Sequence, residues 1–269
     1  MNGINEQICP NPFFGALSNF FRSYAASFYS DDGEVHTNIT LKENHTFRVC
    51  KHARDIGQSV PLDGHGISIA CIAALLHDIG RFEQYSRYRT FSDARSENHA
   101  SMALRIIEEK NLLSLLSDAD RQCIMKAVAC HNMQDIPSGL DERTHLHTTI
   151  LRDADKLDII PLVIEYLSER HCRKNPGMEA GLPDTPGYSQ EIIDLLMHNR
   201  TISNRMRKNY NDVKLVQMTW MLDLNFPHSY RTALKNGYHR AIAAHLPDDP
   251  VIRKAADHIE EVMKERAAL

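Results

Sequence analysis

The segment GHGISIACIAALLHDIG, residues 64–80, decides the fold class of this 269-residue chain. Its middle, from Ile67 to Leu76, would be apolar on nearly every side of a helix, so a helix here must be buried among other elements. The run is far too short to cross a membrane. The pair His77-Asp78 ends it, and adjacent ionisable groups at the end of a buried helix indicate a functional site. Gly80 is expected to cap this helix at its C-terminus.

Helical spacing of apolar residues continues on both sides of this segment. Glycine and proline are scarce, at 12 and 11 residues, which also favours helix. We predict helices over 13–29, 40–58, 64–77, 97–110 with Ser96 as its cap, 118–131, 145–170, 188–200, 203–223, 228–245 and 250–267. The arginine-rich stretch 80–97 and residues 175–187 are expected to connect helices. Because no alternating strand pattern stands out, the chain is predicted to be all-α.

The length of the chain suits one large domain, and no linker or internal repeat divides it. We therefore expect a single helical domain over residues 1–269. Its core is expected at about residues 40–170, and the helices at about 188–267 would form a C-terminal extension. Neither the role of this extension nor the oligomeric state follows from the sequence.

Composition limits the partners and the compartment. The formal net charge is -4 and no basic run stands out, so we expect no nucleic-acid polymer as a partner. Six cysteines in a long chain without a CxxC pair indicate reduced thiols rather than a disulfide framework, which predicts a cytoplasmic protein. The N-terminus lacks the pattern of a signal peptide, and no membrane segment is expected.

Several histidines and one aspartate fall on predicted buried faces, and the fifteen histidines make their positions informative. Asp153 lies within the apolar stripe formed by Ile150, Leu157, Ile160 and Ile164. A buried carboxylate requires a cation, which is either a metal or a lysine or arginine side chain. His45 lies on the apolar stripe of helix 40–58. His99 lies in the first turn of helix 97–110, just after Asn98, and His131 ends helix 118–131. Each histidine alone also fits a hydrogen-bonded core residue.

Taken together, these residues resemble the H…HD…D signature of the HD superfamily, with two further histidines in the expected intervals. The flanking sequences ALLHDIG at 74–80 and DADKLD at 153–158 are similar as well. The resemblance covers roughly residues 40–170 and implies an HD-type helical bundle with additional C-terminal helices. It also implies two metal ions, with Asp78 as the bridge between them. The implied ligands are His45, His77, Asp78 and Asp153 for one ion, and His99 and His131 for the other.

Mixed nitrogen and oxygen ligands suit Mn, Fe, Co, Ni or Zn, with Mg as a further option. The resemblance implies a metal-dependent phosphohydrolase that acts on a phosphomonoester, such as a nucleotide or another small phosphorylated metabolite. A nucleotide phosphodiesterase would use the same site. Some HD members with this ligand pattern resemble mixed-valent di-iron oxygenases, and a non-catalytic nucleotide sensor is a third class. The complete ligand set disfavours the sensor, whereas the sequence does not separate the enzymes.

The candidate catalytic residues are Asp78, Arg81 and Lys156. Arginines after the HD pair can bind phosphate bidentately, and a tyrosine among them can stack on a base. Lys156 lies one helical turn after Asp153, where it can reach a substrate phosphate or pair with Asp153 or Asp155. A solvated loop is the competing interpretation of the arginine-rich stretch. The candidate substrate-binding residues are Arg81, Tyr85, Arg89, Arg95 and Lys156.

Overall fold

The computed structural model describes residues 8–170, 181–200 and 202–269, and every regular element within these ranges is helical. The α-helices are α1 (Pro12–Ala26), α2 (Gly33–Ser59), α3 (Gly64–Leu76), α4 (Gly80–Tyr88), α5 (His99–Glu109), α6 (Asp118–Cys130), α7 (Glu142–Glu169), α8 (Gln190–Met197), α9 (Tyr210–Thr219), α10 (Pro227–Asn236), α11 (Tyr238–Ala243) and α12 (Pro250–Ala267). Short 3-10 turns lie at Asp93–Arg95 and Asn204–Met206. The all-α prediction is confirmed. None of the described helices is both long enough and apolar enough to span a membrane.

The chain divides into two compact units with the boundary between Asp158 and Ile159. The first unit contains α1 to α6 and the first part of α7, and the second contains the rest of α7 and α8 to α12. Helix α7 runs through the boundary with Pro161 inside it. The expected core at about 40–170 and the extension at about 188–267 remain a prediction about domain organisation.

Helix α3 is buried from Ser68 to Leu76, as its apolar sequence requires. It packs against α1, α2 and α6. The Asp63 side chain caps its N-terminus by accepting a hydrogen bond from the Gly66 amide at 2.7 Å. Because the helix is covered on every side, the residues that follow its last turn are buried as well. His77 is 0% exposed and Asp78 is 3% exposed.

Gly80 has a different role from the predicted one. It begins α4 instead of capping α3, so residues 80–88 are helical where a connection was expected. A Cβ atom at this position would lie 2.5 Å from the carbonyl oxygen of His99 and 2.8 Å from the amide nitrogen of Ala103. Glycine is therefore needed here because α5 approaches the backbone of α4 closely, and not because the helix ends in a left-handed turn.

The helix ends around the arginine-rich stretch also differ from the prediction. Helix α4 ends at Arg89, which adopts a left-handed conformation with φ of 53°. Asn98, and not Ser96, caps α5 by accepting a hydrogen bond from the Ser101 amide at 3.0 Å. Ser96 instead donates to the carbonyl oxygen of Ser92 at 2.8 Å. Asparagine and serine are about equally good N-caps, so composition alone does not choose between them.

In the second unit, α10 packs against α12, and α9 packs against α8 and α11. Gly237 adopts φ of 62° and divides the predicted helix 228–245 into α10 and α11. The Asp212 carboxylate accepts hydrogen bonds from the amide and hydroxyl of Ser189, at 2.7 and 2.8 Å, and from the Lys208 amide at 2.8 Å. These bonds tie the beginning of α8 to α9.

Two predictions fall partly outside the described residues. Of the connection predicted at 175–187, residues 181–187 are described and are not helical. Cys172 also lies outside the described residues, whereas the other five cysteines are buried free thiols: Cys9, Cys50, Cys71, Cys123 and Cys130.

The close contact at Gly80 can be tested by substitution. We expect Gly80→Ala to lower the free energy of unfolding by about 1–3 kcal/mol, because α5 must move to admit the methyl group. Gly15→Ala is the matched control, since Gly15 lies inside α1 with nothing within 4 Å of its Cβ position. That variant is expected to gain about 0.5–1 kcal/mol. Urea unfolding of both proteins measures the difference, and equal effects would contradict the packing argument.

Candidate metal centre

Six buried or half-buried side chains from five helical segments of the first unit converge at the end of α3. His45 comes from the middle of α2, and His77 and Asp78 follow α3 directly. The others are His99 at the first residue of α5, His131 at the C-cap of α6, and Asp155 in α7. They form three groups in which one ligand atom from each residue lies within 4.8 Å of the others: His45–His77–Asp78, His77–His131–Asp155 and Asp78–His99–His131.

The Asp78 carboxylate lies between two sets of imidazoles. Its Oδ2 atom is 3.5 Å from Nε2 of His45 and 3.6 Å from Nε2 of His77. Its Oδ1 atom is 3.5 Å from Nε2 of His99 on the other side. One oxygen therefore faces each set of imidazoles.

The four histidines share one hydrogen-bonding arrangement. In each ring Nδ1 is bonded to an outer acceptor, which directs Nε2 toward the centre of the cluster. The acceptors are Asp158 Oδ2 for His45 at 2.7 Å, the Ala74 carbonyl for His77 at 2.6 Å, Asp93 Oδ2 for His99 at 2.7 Å and the Val128 carbonyl for His131 at 2.7 Å. A carbonyl or carboxylate partner places the ring proton on Nδ1 and leaves a lone pair on Nε2. This outer-shell pattern is typical of metal-ligating histidines.

The lone pairs on the four Nε2 atoms provide a direct test of whether the residues fit a metal ion. Among the described residues, Nε2 of His45 and Nε2 of His77 are buried and have no hydrogen-bond partner. The Nε2 atoms of His99 and His131 face each other at 3.0 Å. Two nitrogen ligands about 2.1 Å from one metal ion, at an angle near 90°, lie about 3.0 Å apart. Without a cation these lone pairs would be buried and unsatisfied, so the residues fit a metal centre.

The second aspartate of the cluster is Asp155, whereas Asp153 belongs to none of the three groups of described residues. Asp155 Oδ1 lies 3.2 Å from Nε2 of His45 and 3.8 Å from Nε2 of His77. Asp155 and Asp158 are three residues apart, so they share the face of α7 that meets His45. Asp153 is two residues from Asp155, about 200° around the helix, and is buried on another face.

Burial keeps most of the imidazoles neutral. Burial lowers the pKa of His77, and it lowers the pKa of His99 and of His131 to about 4. Neutral imidazole is the form that binds a metal. For His45, burial and the nearby lysine charge oppose protonation, yet the carboxylates of Asp155 and Asp158 outweigh them and raise its pKa. A cation at Nε2 would replace the proton that the Asp155 carboxylate attracts there.

Two cationic side chains adjoin the Asp78 carboxylate. Lys42 Nζ lies 2.7 Å from Asp78 Oδ2, and Arg81 Nε lies 3.2 Å from Asp78 Oδ1. Burial opposes ionisation of Asp78, but the charges of Lys42 and Arg81 beside it hold its pKa well below the usual range. The carboxylate is therefore ionised and available as a ligand.

Two further side chains support the histidines from outside. Asp93 accepts the bond from His99 and is itself contacted by Arg81, Gln84 and Asn132. Arg152 donates to the carbonyl oxygens of His131, Met133 and Gln134, so it fixes the turn that follows α6.

Sequence reasoning missed Lys42, Asp93, Asp155 and Asp158. The signal for Lys42 was its place one turn before His45, and the signal for the last two was the i, i+3 pair inside DADKLD.

The predicted substrate-binding residues do not lie together in the structure. Arg81 alone among the arginines of 81–95 contacts the cluster in the described structure. The others are paired elsewhere, Arg87 with Glu83, Arg89 with Asp32 and Arg95 with Thr90. The Tyr85 ring is 3% exposed and packs against Phe91 with the ring centroids 4.8 Å apart, so a base cannot stack on it. Lys156 is half-buried and follows Asp155 on α7.

The two aspartates of α7 can be separated by isosteric substitution. We expect Asp155→Asn to weaken metal binding at least about tenfold, because a carboxylate ligand becomes a neutral amide. Asp153→Asn is expected to bind metal as the unchanged protein does. Calorimetric titration of metal-free protein with Mn²⁺ gives the affinity and the number of sites. Loss of affinity in Asp153→Asn with none in Asp155→Asn would reverse the assignment.

Comparison with known proteins agrees with this geometry. Residues 43–160 match the family model of the HD domain. The matched segment contains all six residues of the cluster. Searches of curated proteins and of solved structures returned no significant match. Residues 43–160 are therefore similar to the HD domain, a family whose members are generally metal-dependent hydrolases.

Proposed function

We propose that this protein is a phosphohydrolase that uses two divalent metal ions to release phosphate from a phosphomonoester. A nucleotide or another small phosphorylated metabolite is the proposed substrate. The observation that carries the proposal is the pair of oxygens of Asp78, one facing His45 and His77 and the other facing His99. This arrangement supports a bridged binuclear centre, which is the usual device for in-line displacement at phosphorus.

The proposed ligands divide between two ions. One ion is held by His45, His77, Asp78 and Asp155, and the other by Asp78, His99 and His131. Mixed imidazole and carboxylate ligands favour Mn, Fe, Co, Ni or Zn, with Mg as a weaker candidate because it prefers oxygen ligands. When bound, such ions lower the pKa of a coordinated water and neutralise charge on the phosphoryl oxygens.

The side chains of this chain hold the reacting groups in place. Asp78 spaces the two sets of ligands, and the outer bonds to Asp158 and Asp93 keep the imidazoles of His45 and His99 turned inward. Arg81 presents its guanidinium beside Asp78 Oδ1, where it can bind a phosphoryl oxygen. In the proposed reaction water adds to phosphorus, the ester P–O bond breaks, and the alcohol leaves with a proton.

The proposed assignment of substrate residues is narrower than the prediction from sequence. Arg81 is the arginine that adjoins the centre, and Lys156 remains a proposed substrate ligand because it neighbours Asp155 on α7. Arg89 and Arg95 are exposed and paired elsewhere, so we do not assign them to the site. A phosphodiesterase would use the same centre, and substrate comparison is needed to separate the two reactions.

The bridging role of Asp78 predicts a loss that no other ligand should produce. We expect Asp78→Asn to lose both metal ions and all phosphate release, because each set of histidines shares this carboxylate. His99→Ala is expected to lose one ion preferentially. Asp118→Asn is the matched control, since Asp118 is exposed in the first turn of α6, at the end of the helix opposite to His131, and pairs with Arg121. Elemental analysis gives the stoichiometry, and a panel of phosphomonoesters assayed with Mn²⁺ gives the activity.

Two results would contradict the proposal in different ways. Two metal ions retained by Asp78→Asn would exclude the bridge. Two iron ions per chain, no phosphate release from any ester and oxygen consumption with a chelating substrate would replace the hydrolase by a di-iron oxygenase. Circular dichroism of each variant separates loss of metal from loss of fold.

A further inference from the structure

Lys42 is a buried lysine inside the candidate metal centre. It lies on α2 one turn before His45, and its side chain is 9% exposed. Lysine is almost never this deeply buried unless it is paired. Its Nζ donates to Asp78 Oδ2 at 2.7 Å. The Nε2 atoms of His45 and His77 accept no hydrogen bond from any described residue, so the ammonium bonds to the carboxylate and not to these imidazoles.

The two cations that contact the Asp78 carboxylate, Lys42 and Arg81, both lie near the ring of Phe91. Lys42 Nζ lies 5.5 Å and Arg81 Cζ lies 5.9 Å from the centroid of Phe91. Lys42 contacts Oδ2 of Asp78, and Arg81 contacts Oδ1. Phe91 is partly exposed. An anion bound beside Phe91 and Asp78 would meet both cations.

The charges at the centre call for an anion. The carboxylates of Asp78, Asp93, Asp155 and Asp158 carry four negative charges, and Lys42, Arg48 and Arg81 carry three positive charges. The side chains alone therefore sum to minus one, and two divalent ions would bring the centre to plus three. In a buried site such an excess of positive charge is costly unless an anion with more than one negative charge compensates it.

A purely structural role for Lys42 does not explain this arrangement. If Lys42 only neutralised Asp78, divalent ions on the same carboxylate would make its charge redundant and would repel it. Resting on the proposed function, we propose that Lys42 is a substrate-binding residue that contacts the phosphoryl group and, with Arg81, selects a dianion. A phosphomonoester carries close to two negative charges at neutral pH, whereas a phosphodiester carries one.

The experiment measures binding of inorganic phosphate to the Mn²⁺-loaded full-length protein by isothermal titration calorimetry. The variants are Lys42→Met, which keeps the length of the side chain without its charge, and Lys42→Arg, which keeps the charge. Lys51→Met is the matched control because Lys51 is exposed on the same helix. Mn²⁺ affinity is measured on each protein, and dimethyl phosphate serves as the monoanionic probe.

We expect Lys42→Met to bind phosphate at least about tenfold more weakly, which is the usual loss for a hydrogen bond between charged groups. Its Mn²⁺ affinity should be unchanged or higher, since a repelling charge is removed. Lys42→Arg should recover part of the phosphate affinity, and Lys51→Met should match the unchanged protein. Dimethyl phosphate should bind the unchanged protein more weakly than phosphate does, with little further loss in Lys42→Met.

Other outcomes overturn the inference at separate points. Unchanged phosphate affinity in Lys42→Met would exclude contact with the phosphoryl group. A loss of Mn²⁺ affinity as large as that of Asp78→Asn would make Lys42 a positioning residue for the carboxylate. If the unchanged protein takes up Mn²⁺ but binds no phosphate and releases none from any ester, the proposed function itself fails, and the assignment of Lys42 fails with it.

Discussion

The buried carboxylate of Asp78 is the constraint on which the rest of the site depends. It lies at the end of the most apolar helix in the chain and is 3% exposed. An isolated charge at this depth would be very costly, so cations must surround it. Lys42 and Arg81 supply two of them, and imidazole nitrogens that could hold a metal ion face each oxygen. Lys42 of α2, Arg81 of α4 and His99 of α5 thus surround the Asp78 carboxylate, which follows the buried helix α3.

Two of the four imidazoles depend on packing between segments for their orientation. His77 and His131 bond to carbonyl oxygens of their own helices, three residues back, so their orientation is local. His45 and His99 instead depend on carboxylates brought by other segments, Asp158 on α7 and Asp93 in the turn before α5. Damage to the packing of these segments therefore disturbs the orientation of the ligands even when no ligand is changed.

Several contacts in the structure differ from those that the sequence suggests. Asp153 and Asp155 stand two positions apart in a helix that is buried on most sides around them, so the apolar stripe could not show which one faces His45. Gly80 looked like a helix end because glycine is common there, yet it admits the backbone of α5. Tyr85 looked available for stacking because it stands among arginines, but Phe91 covers it. In each case the deciding contact comes from a residue distant in the chain or from an adjacent turn.

The sequence by itself determined that the chain is helical, that α3 is buried, and that His45, His77, Asp78, His99 and His131 stand where helices present polar groups to the interior. The period and the hydrophobicity of a segment are local properties, so they can be determined from the amino-acid sequence alone. Only the tertiary structure decided that Asp155 completes the cluster, that Asp78 faces two sets of imidazoles, and that Lys42 enters the centre. Those facts depend on the rotation of each helix about its axis and on the close approach of neighbouring helices, which packing of the whole unit sets and no short segment encodes.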